Sequence, residues 1–136
     1  MSIKSHIIAL LLAAGMGAAQ AQVVIVHAQN PSGSLSKEQV EQIFLGRSTS
    51  FPAGGSATPI DNAALRDAFY QGVTGKSGDQ AKAHWAKIEF TGKGKAPAEA
   101  PSGKAVAEQV SKNPAAIGYV DKADVGAGVK AVYTVH

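Results

Sequence analysis

The sequence predicts a single α/β domain, and two local patterns carry this prediction. The continuous β-branched run at residues 23–26 is typical of a strand that is buried on both faces. Serine and glutamine stand three residues apart twice, at Ser36 and Gln39 and at Ser77 and Gln80, and this spacing forms the capping box that begins a helix. Strand-type and helix-type segments alternate along the chain, as they do in α/β proteins.

The first 21 residues have the features of a signal peptide. Lys4 precedes an apolar run over residues 7–14, and Ala19 and Ala21 supply the small residues that signal peptidase requires. The alternative, a membrane anchor, needs a longer run, because the hydrocarbon core is about 30 Å thick. We expect cleavage after Ala21, which leaves residues 22–136 as one domain in the periplasm that is not embedded in the membrane.

The composition argues against several classes of protein. The chain has no cysteine, so we expect neither disulfides nor a lipid-bearing cysteine. Loss of Lys4 with the leader takes the 13 basic residues to 12, against 10 acidic residues, for a formal net charge of +2. The basic residues are scattered and the aromatic residues are few, which argues against a nucleic-acid partner. A weakly basic surface still favours small anions.

No motif indicates catalysis, a metal or a cofactor. Residues 75–77 read Gly-Lys-Ser, as at the end of a phosphate-binding P-loop, but Tyr70 occupies the position of its first glycine. We therefore interpret this stretch as a turn between two helices. His27, His84 and His136 have no partner at metal-ligand spacing. We expect neither an enzyme nor a bound cofactor.

Turn residues and apolar spacing predict the first helices and strands. A helix begins at Lys37, ends at Gly46 and buries Val40, Ile43 and Phe44. Residues 47–58 are rich in serine, threonine, proline and glycine, which predicts an exposed loop. A short strand follows at residues 59–61. Asp61 or Asn62 then caps a helix over residues 63–71, whose inward residues are Leu65, Ala68 and Phe69.

The second half of the chain continues the same alternation. The capping box at Ser77 begins a helix with Ala81, Trp85 and Ile88 on one face. Residues 91–103 have almost nothing to bury, so we expect a mobile surface excursion. Ser102 caps a last helix, which must end before Pro114. Two strands complete the domain, at residues 117–120 and 129–135.

Four phrases of the chain, taken in order, resemble a known family. They are LSKEQVEQIFLGR (35–47), FYQGVTG (69–75), HWAKIEFTGKG (84–94) and AVAEQVSKNPAAIGYVD (105–121), and together they span nearly all of residues 22–136. They resemble the phosphate ABC-transporter substrate-binding proteins, which have the type II periplasmic binding-protein fold. The resemblance implies a central sheet flanked by helices, with a strand directly after Pro114. A helix followed by a strand at a proline also recurs in many other α/β proteins.

The resemblance covers only one of the two lobes that close over an anion in the full-length family members. Half of the cleft is therefore absent. The family's arginine and Ser-Gly-Thr phosphate loop should precede the helix that contains Phe69, where this chain reads TPIDNAALRDAF. No Ser-Gly-Thr stands there. Arg66 lies near the place but inside the predicted helix, so we expect a solvent-exposed helix cation and retain it only as a candidate ligand.

Helix N termini are the remaining candidate anion sites, because their free N–H groups favour negative charge. Ser36 and Asn62 begin two of the predicted helices, although the neighbouring Asp61 would compete with an anion at Asn62. Ser102, Gly103 and Lys104 form the best local anion nest, since glycine admits the anion and lysine adds charge. Helix capping explains each of these serines equally well.

Two functions remain open from the sequence. In the first, the domain captures phosphate or another small oxyanion, and a second copy completes the cleft. In the second, the lobe has lost its anion site and acts as a non-catalytic interaction or sensor module for a membrane transporter or another envelope protein. The missing phosphate loop favours the second function, while the family resemblance favours the first.

Overall fold

The structure, a computed structural model, describes residues 21–136, and within this range the chain forms one mixed sheet of five strands with four helices. The strands are β1 (Gln22–His27), β2 (Thr58–Asn62), β3 (Ala98–Ala100), β4 (Ala116–Asp121) and β5 (Val129–Thr134). The helices are α1 (Lys37–Phe44), α2 (Arg66–Thr74), α3 (Gly78–Phe90) and α4 (Gly103–Lys112), with a short 3₁₀ turn at Lys122–Asp124. The predicted signal peptide lies outside the described residues, except for Ala21.

The strand order in the sheet is β3-β2-β4-β1-β5. Strands β3, β2 and β4 run parallel to one another, whereas β1 lies between β4 and β5 and is antiparallel to both. The carboxyl ends of the three parallel strands therefore meet along one side of the sheet, which we call the carboxyl edge. β1 is an interior strand, and its four middle residues are buried, which confirms the prediction of a strand buried on both faces.

Alternating side chains of β1 supply two cores on opposite faces of the sheet. Val24 and Val26 belong to the larger core, which contains five buried aromatic residues, and Val23 and Ile25 belong to the smaller one. In the larger core the rings of Phe69 and Tyr119 stack at 3.7 Å, and Phe44 and Tyr70 meet them edge to face. This aromatic cluster joins α1, α2 and β4.

The strand after Pro114 forms as predicted, and its glycine has a packing role. Helix α4 ends at Lys112, and β4 begins at Ala116. A Cβ atom at Gly118 would lie 2.5 Å from Cγ1 of Val106, so the glycine allows α4 to pack closely on the sheet.

Both predicted capping boxes are present, at the N termini of α1 and α3. In each box the serine side chain accepts a hydrogen bond from the backbone N–H of the glutamine, and the glutamine side chain accepts one from the serine N–H. Residues 75–77 form the turn between α2 and α3, as expected.

The predicted start of α2 is wrong. The helix begins at Arg66 rather than at residue 63, and its cap position, Leu65, makes no side-chain hydrogen bond. Asp61 and Asn62 instead end β2, because Asn62 Oδ1 accepts a hydrogen bond from the Ala64 N–H and closes a short turn. The inward face is also different. Its buried residues are Phe69, Tyr70 and Val73, whereas Ala68 is exposed.

Two segments predicted as loops contribute to the folded core. Within residues 47–58, Phe51 is buried and its N–H donates to the Gly55 carbonyl at 2.9 Å. The surface excursion predicted at residues 91–103 contains strand β3, which pairs in parallel with β2 and buries Ala100. Hydrogen bonds to a distant strand form β3. The sequence alone does not predict it, because three residues are too few to show a strand pattern.

Candidate functional site

Helices α2 and α4 both begin at the carboxyl edge of the sheet. Helix α2 starts four residues after β2 ends, and α4 starts three residues after β3 ends. In open α/β sheets, ligands bind outside the carboxyl ends of the strands, where helix N termini add positive potential. The carboxyl edge is therefore the first place to look for a site.

Asp61 lies at the centre of this edge. The residue is 4% exposed, and its Oδ1 accepts hydrogen bonds from the hydroxyls of Tyr70 at 2.9 Å and Tyr119 at 3.0 Å. Burial raises the pKa of the Asp61 carboxyl, although the two hydroxyls and Arg66 act in the opposite direction. Burial and the adjacent Asp61 also raise the pKa of both tyrosines, so their hydroxyls remain hydrogen-bond donors.

Arg66 connects two carboxylates of neighbouring strands. Asp61 and Glu99 are partners in the parallel pairing of β2 and β3, which places them on the same face of the sheet. Arg66 Nη1 donates to Glu99 Oε2 at 3.2 Å, and Arg66 Nε lies 3.9 Å from Asp61 Oδ2. The Nε atom is buried and has no hydrogen-bond partner among the described residues.

An open cavity of about 310 Å³ lies beside these three residues. Helix α3 contributes Lys82, Trp85, Ala86 and Glu89 to its wall, and the remaining lining residues are Asp61, Arg66, Ala96, Pro97 and Glu99. Three carboxylates therefore face two cationic side chains. We call this space the carboxylate cavity.

The expectation that Arg66 is a solvent-exposed helix cation is wrong. Its side chain is 22% exposed, because it lies against Asp61 and Glu99 at the first turn of α2. Sequence spacing could not reveal this, since Glu99 is 33 residues away and reaches Arg66 only through the β2 and β3 pairing.

The other candidates from the first half of the chain have structural roles. Ser36 caps α1 and accepts from the Gln39 N–H at 3.1 Å. Asn62 is fully buried; its Nδ2 donates to the Tyr119 carbonyl at 3.1 Å and its Oδ1 accepts from Ala64. Asn62 therefore ties β2 to β4 rather than beginning a helix.

Ser102, Gly103 and Lys104 lie at the carboxyl edge, where Ser102 caps α4 and accepts from the Ala105 N–H at 3.2 Å. The Asp124 carboxylate packs directly against Gly103. Ser102 and Lys104 also line an open hollow of about 460 Å³ together with Glu108 and Asp124. The start of α4 favours negative charge, and the Asp124 carboxylate of the protein itself supplies that charge.

The described residues 21–136 contain no group of three or more histidine, cysteine, aspartate or glutamate side chains that could hold a metal ion. None of the helices in this range is long and apolar enough to cross a membrane.

Comparison with known proteins identifies the fold. Neither a protein-family model nor a curated protein sequence matches the chain. Among solved structures, it is similar to a protein described as a phosphate ABC transporter substrate-binding protein from Clostridium perfringens, solved with bound phosphate. The TM-score is 0.67 and the identity 22%, over 83% of this chain and 44% of the other.

Two further solved structures are similar to the chain. An ABC-type phosphate transport receptor from Vibrio cholerae matches with a TM-score of 0.56 and 17% identity, over 83% of this chain and 45% of the receptor. PstS from Borrelia burgdorferi matches with a TM-score of 0.58 and 14% identity, over 84% of this chain and 47% of that protein. The chain thus spans less than half the length of each, and it has the α/β fold of a single lobe of the phosphate ABC transporter substrate-binding proteins.

Proposed function

We propose that the chain is a periplasmic, non-catalytic solute-binding domain that captures phosphate or a related small oxyanion in the carboxylate cavity. One observation carries this proposal: the buried Nε of Arg66 lacks a hydrogen-bond partner among the described residues, while Nη1 is held by the half-exposed carboxylate of Glu99. An oxyanion in the cavity would engage Nε together with the adjacent Nη2, the paired geometry that guanidinium groups favour, while Nη1 stays with Glu99.

The carboxylates of the cavity are compatible with phosphate but not with sulfate. Inorganic phosphate retains at least one proton near pH 7 and can donate it to a carboxylate oxygen, which only accepts hydrogen bonds. Sulfate has no proton to donate at this pH, so Asp61, Glu89 and Glu99 would repel it. Discrimination of this kind, by an unfavourable contact with the competitor, is common in specific binding sites.

The test is thermal unfolding of the purified protein with millimolar phosphate, and with sulfate at matched ionic strength. A ligand that binds only the folded state stabilises it by about 2.7 kcal/mol at a hundred times its Kd. We expect a phosphate-selective rise in Tm that Arg66→Gln abolishes. Arg47→Gln, which removes an exposed arginine elsewhere, should leave the rise unchanged.

Two further measurements locate the site and the compartment. Loss of the phosphate response in Ser102→Ala rather than in Arg66→Gln would move the anion to the start of α4. Mass spectrometry of protein expressed from the full chain should identify Gln22 as the first residue if the leader is cleaved as predicted.

The second candidate function, an envelope interaction or sensor module, is favoured by the carboxylates on the same edge. Asp124 already lies at the start of α4, and Glu99 already neutralises Arg66. This function predicts no change in Tm with either anion. It also predicts a transporter or other envelope protein that is recovered by crosslinking in envelope extracts and is lost when Glu99 and Glu89 are both changed to Lys.

A further inference from the structure

A second cavity, of about 200 Å³, shares Trp85 with the carboxylate cavity, but its other lining residues are different. Its apolar lining consists of Ile43, Ala57, Pro59, Trp85 and Ile88, and its polar lining consists of Ser48, Thr49, Thr58, Lys93 and Lys95, with Gly46 and Gly94 completing the wall. None of these lining residues is acidic. We call this space the lysine cavity.

The tryptophan wall of the lysine cavity is rigidly held. Trp85 Nε1 donates to the Phe44 carbonyl at 2.9 Å, and the neighbouring His84 Nε2 lies 2.7 Å from the Leu45 carbonyl. Both contacts join α3 to the end of α1. A Cβ atom at Gly46 would lie 2.5 Å from the Trp85 ring, so the ring packs directly on the backbone there.

The segment that carries the two lysines is also tied down. The Gly92 and Lys93 N–H groups donate to the Glu89 and Ile88 carbonyls, at 3.0 and 3.1 Å. The Ala96 N–H donates to the Glu89 carboxylate at 2.7 Å. These bonds fix the backbone on both sides of the lysines, so their ammonium groups are attached to an ordered frame. Less entropy is lost when a ligand binds to such a frame.

We propose that the lysine cavity binds a small organic anion with an apolar body and one carboxylate or phosphate head. The apolar body packs against Trp85, Ile43 and Ile88, and the head pairs with Lys93 and Lys95. An apolar cavity of about 150 Å³ accepts benzene, so the space fits a ligand of one ring or a short branched chain. Inorganic phosphate has no apolar part, so this site goes beyond the proposed capture of phosphate.

The experiment uses benzoate as the probe and the emission of Trp85, the single tryptophan of the sequence, as the signal. Benzyl alcohol serves as an uncharged probe of similar size, and calorimetry supplies an independent Kd. Titration of free N-acetyltryptophanamide corrects for collisional quenching. We expect saturable binding of benzoate and at least about tenfold weaker binding of benzyl alcohol, because the uncharged probe cannot form ion pairs with the two lysines. A tenfold change in affinity corresponds to about 1.4 kcal/mol.

Variants separate the lysine cavity from the rest of the surface. The double variant Lys93→Ala and Lys95→Ala should bind benzoate at least tenfold more weakly. The control Lys112→Ala, which removes an exposed lysine on α4, should have no effect on benzoate binding. Absence of saturable benzoate binding, or an unchanged Kd in the double variant, would overturn the inference.

The same titrations distinguish this site from the proposed phosphate site. Arg66→Gln should abolish the response to phosphate and leave that to benzoate intact. Benzoate binding that is lost in Arg66→Gln and retained in the lysine variant would assign the ligand to the carboxylate cavity and refute the lysine cavity.

Discussion

The carboxylate cavity and the lysine cavity share Trp85 as a lining residue, yet their charges are opposite. Asp61, Glu89 and Glu99 dominate the first, whereas Lys93 and Lys95 are the charged residues that line the second. The chain as a whole has a formal net charge of +3, but net charge does not predict which ligand each cavity accepts. The charge of each cavity is set locally, by the pairing of strands in the carboxylate cavity and by one loop in the lysine cavity.

The two cavities also differ in how deeply their charges are embedded. Asp61 is buried and hydrogen-bonded to two tyrosines, so the carboxylate cavity is tied to the aromatic core. Lys93 and Lys95 are exposed and attached to a loop. Changes in the first should therefore affect stability, whereas changes to the lysines of the second should affect binding alone.

Trp85→Ala should have the largest effect, since it removes a wall that both cavities share. Loss of a buried tryptophan costs about 3 to 5 kcal/mol of unfolding free energy. Urea unfolding followed by circular dichroism measures the loss. Trp85→Phe retains a ring and should lose less. A loss below about 1 kcal/mol for Trp85→Ala would show that the tryptophan does not support α1 and α3 as its contacts indicate.

Asp61→Ala and Glu99→Ala each remove one negative charge from the carboxylate cavity but should differ in stability. Asp61→Ala leaves two buried tyrosine hydroxyls without their acceptor, which costs about 2 to 3 kcal/mol. Glu99→Ala removes an ion pair whose carboxylate is half-exposed and should cost less than about 1 kcal/mol. Equal losses in urea unfolding would contradict the buried role of Asp61.

Gly46→Ala tests the position of the Trp85 ring in the lysine cavity. Gly46 has a left-handed φ of 75°, and its Cβ would collide with the ring. Gly75→Ala is a matched control, because Gly75 has the same φ and no atom within 4 Å of its Cβ position. Both variants should lose about 1 to 2 kcal/mol from backbone strain. The additional loss and a shifted Trp85 emission should occur only in Gly46→Ala.

Asp61→Asn tests the electrostatic cost of the buried carboxylate. The pKa of Asp61 is raised in the folded protein, so the folded state holds its proton more tightly than the unfolded state does. The stability that this proton contributes is fully present below pH 3.8, the ordinary pKa, and is lost as pH rises through the raised value.

The measured quantity is the unfolding free energy of the wild type minus that of Asp61→Asn, from pH 4 to pH 7. It should decrease as pH rises. A difference that increases with pH would show that the tyrosine hydroxyls and Arg66 outweigh burial and lower the pKa of Asp61 instead.

Local patterns predicted much of the fold because the interactions concerned are local. Each capping box closes within four residues, and the left-handed turn at Gly46 follows directly from the absence of a side chain. The helix end before Pro114 is set by the proline ring itself. These features need no tertiary contact, so the sequence alone was sufficient.

The candidate site was predicted less well than the fold. The sequence indicates Arg66 as a candidate, but it predicts a helix cap at Asp61 and a mobile segment around Glu99. The signal that sequence reasoning missed was an acidic residue directly after the apolar Ile60 at the end of a strand. Such a carboxylate needs donors from elsewhere in the fold, here Tyr70 and Tyr119.

Local sequence patterns are enough to predict the α/β alternation, the helix starts at Lys37, Gly78 and Gly103, and the core strands β1 and β4. The existence of β3, the contact of Glu99 with Arg66 and the two cavities beside Trp85 depend on the folded chain. Sequence patterns report interactions within a few residues of the chain. Strand pairing and cavity walls join residues that are tens of positions apart or more, as Asp61 and Tyr119 are, and packing of the whole chain sets their energies.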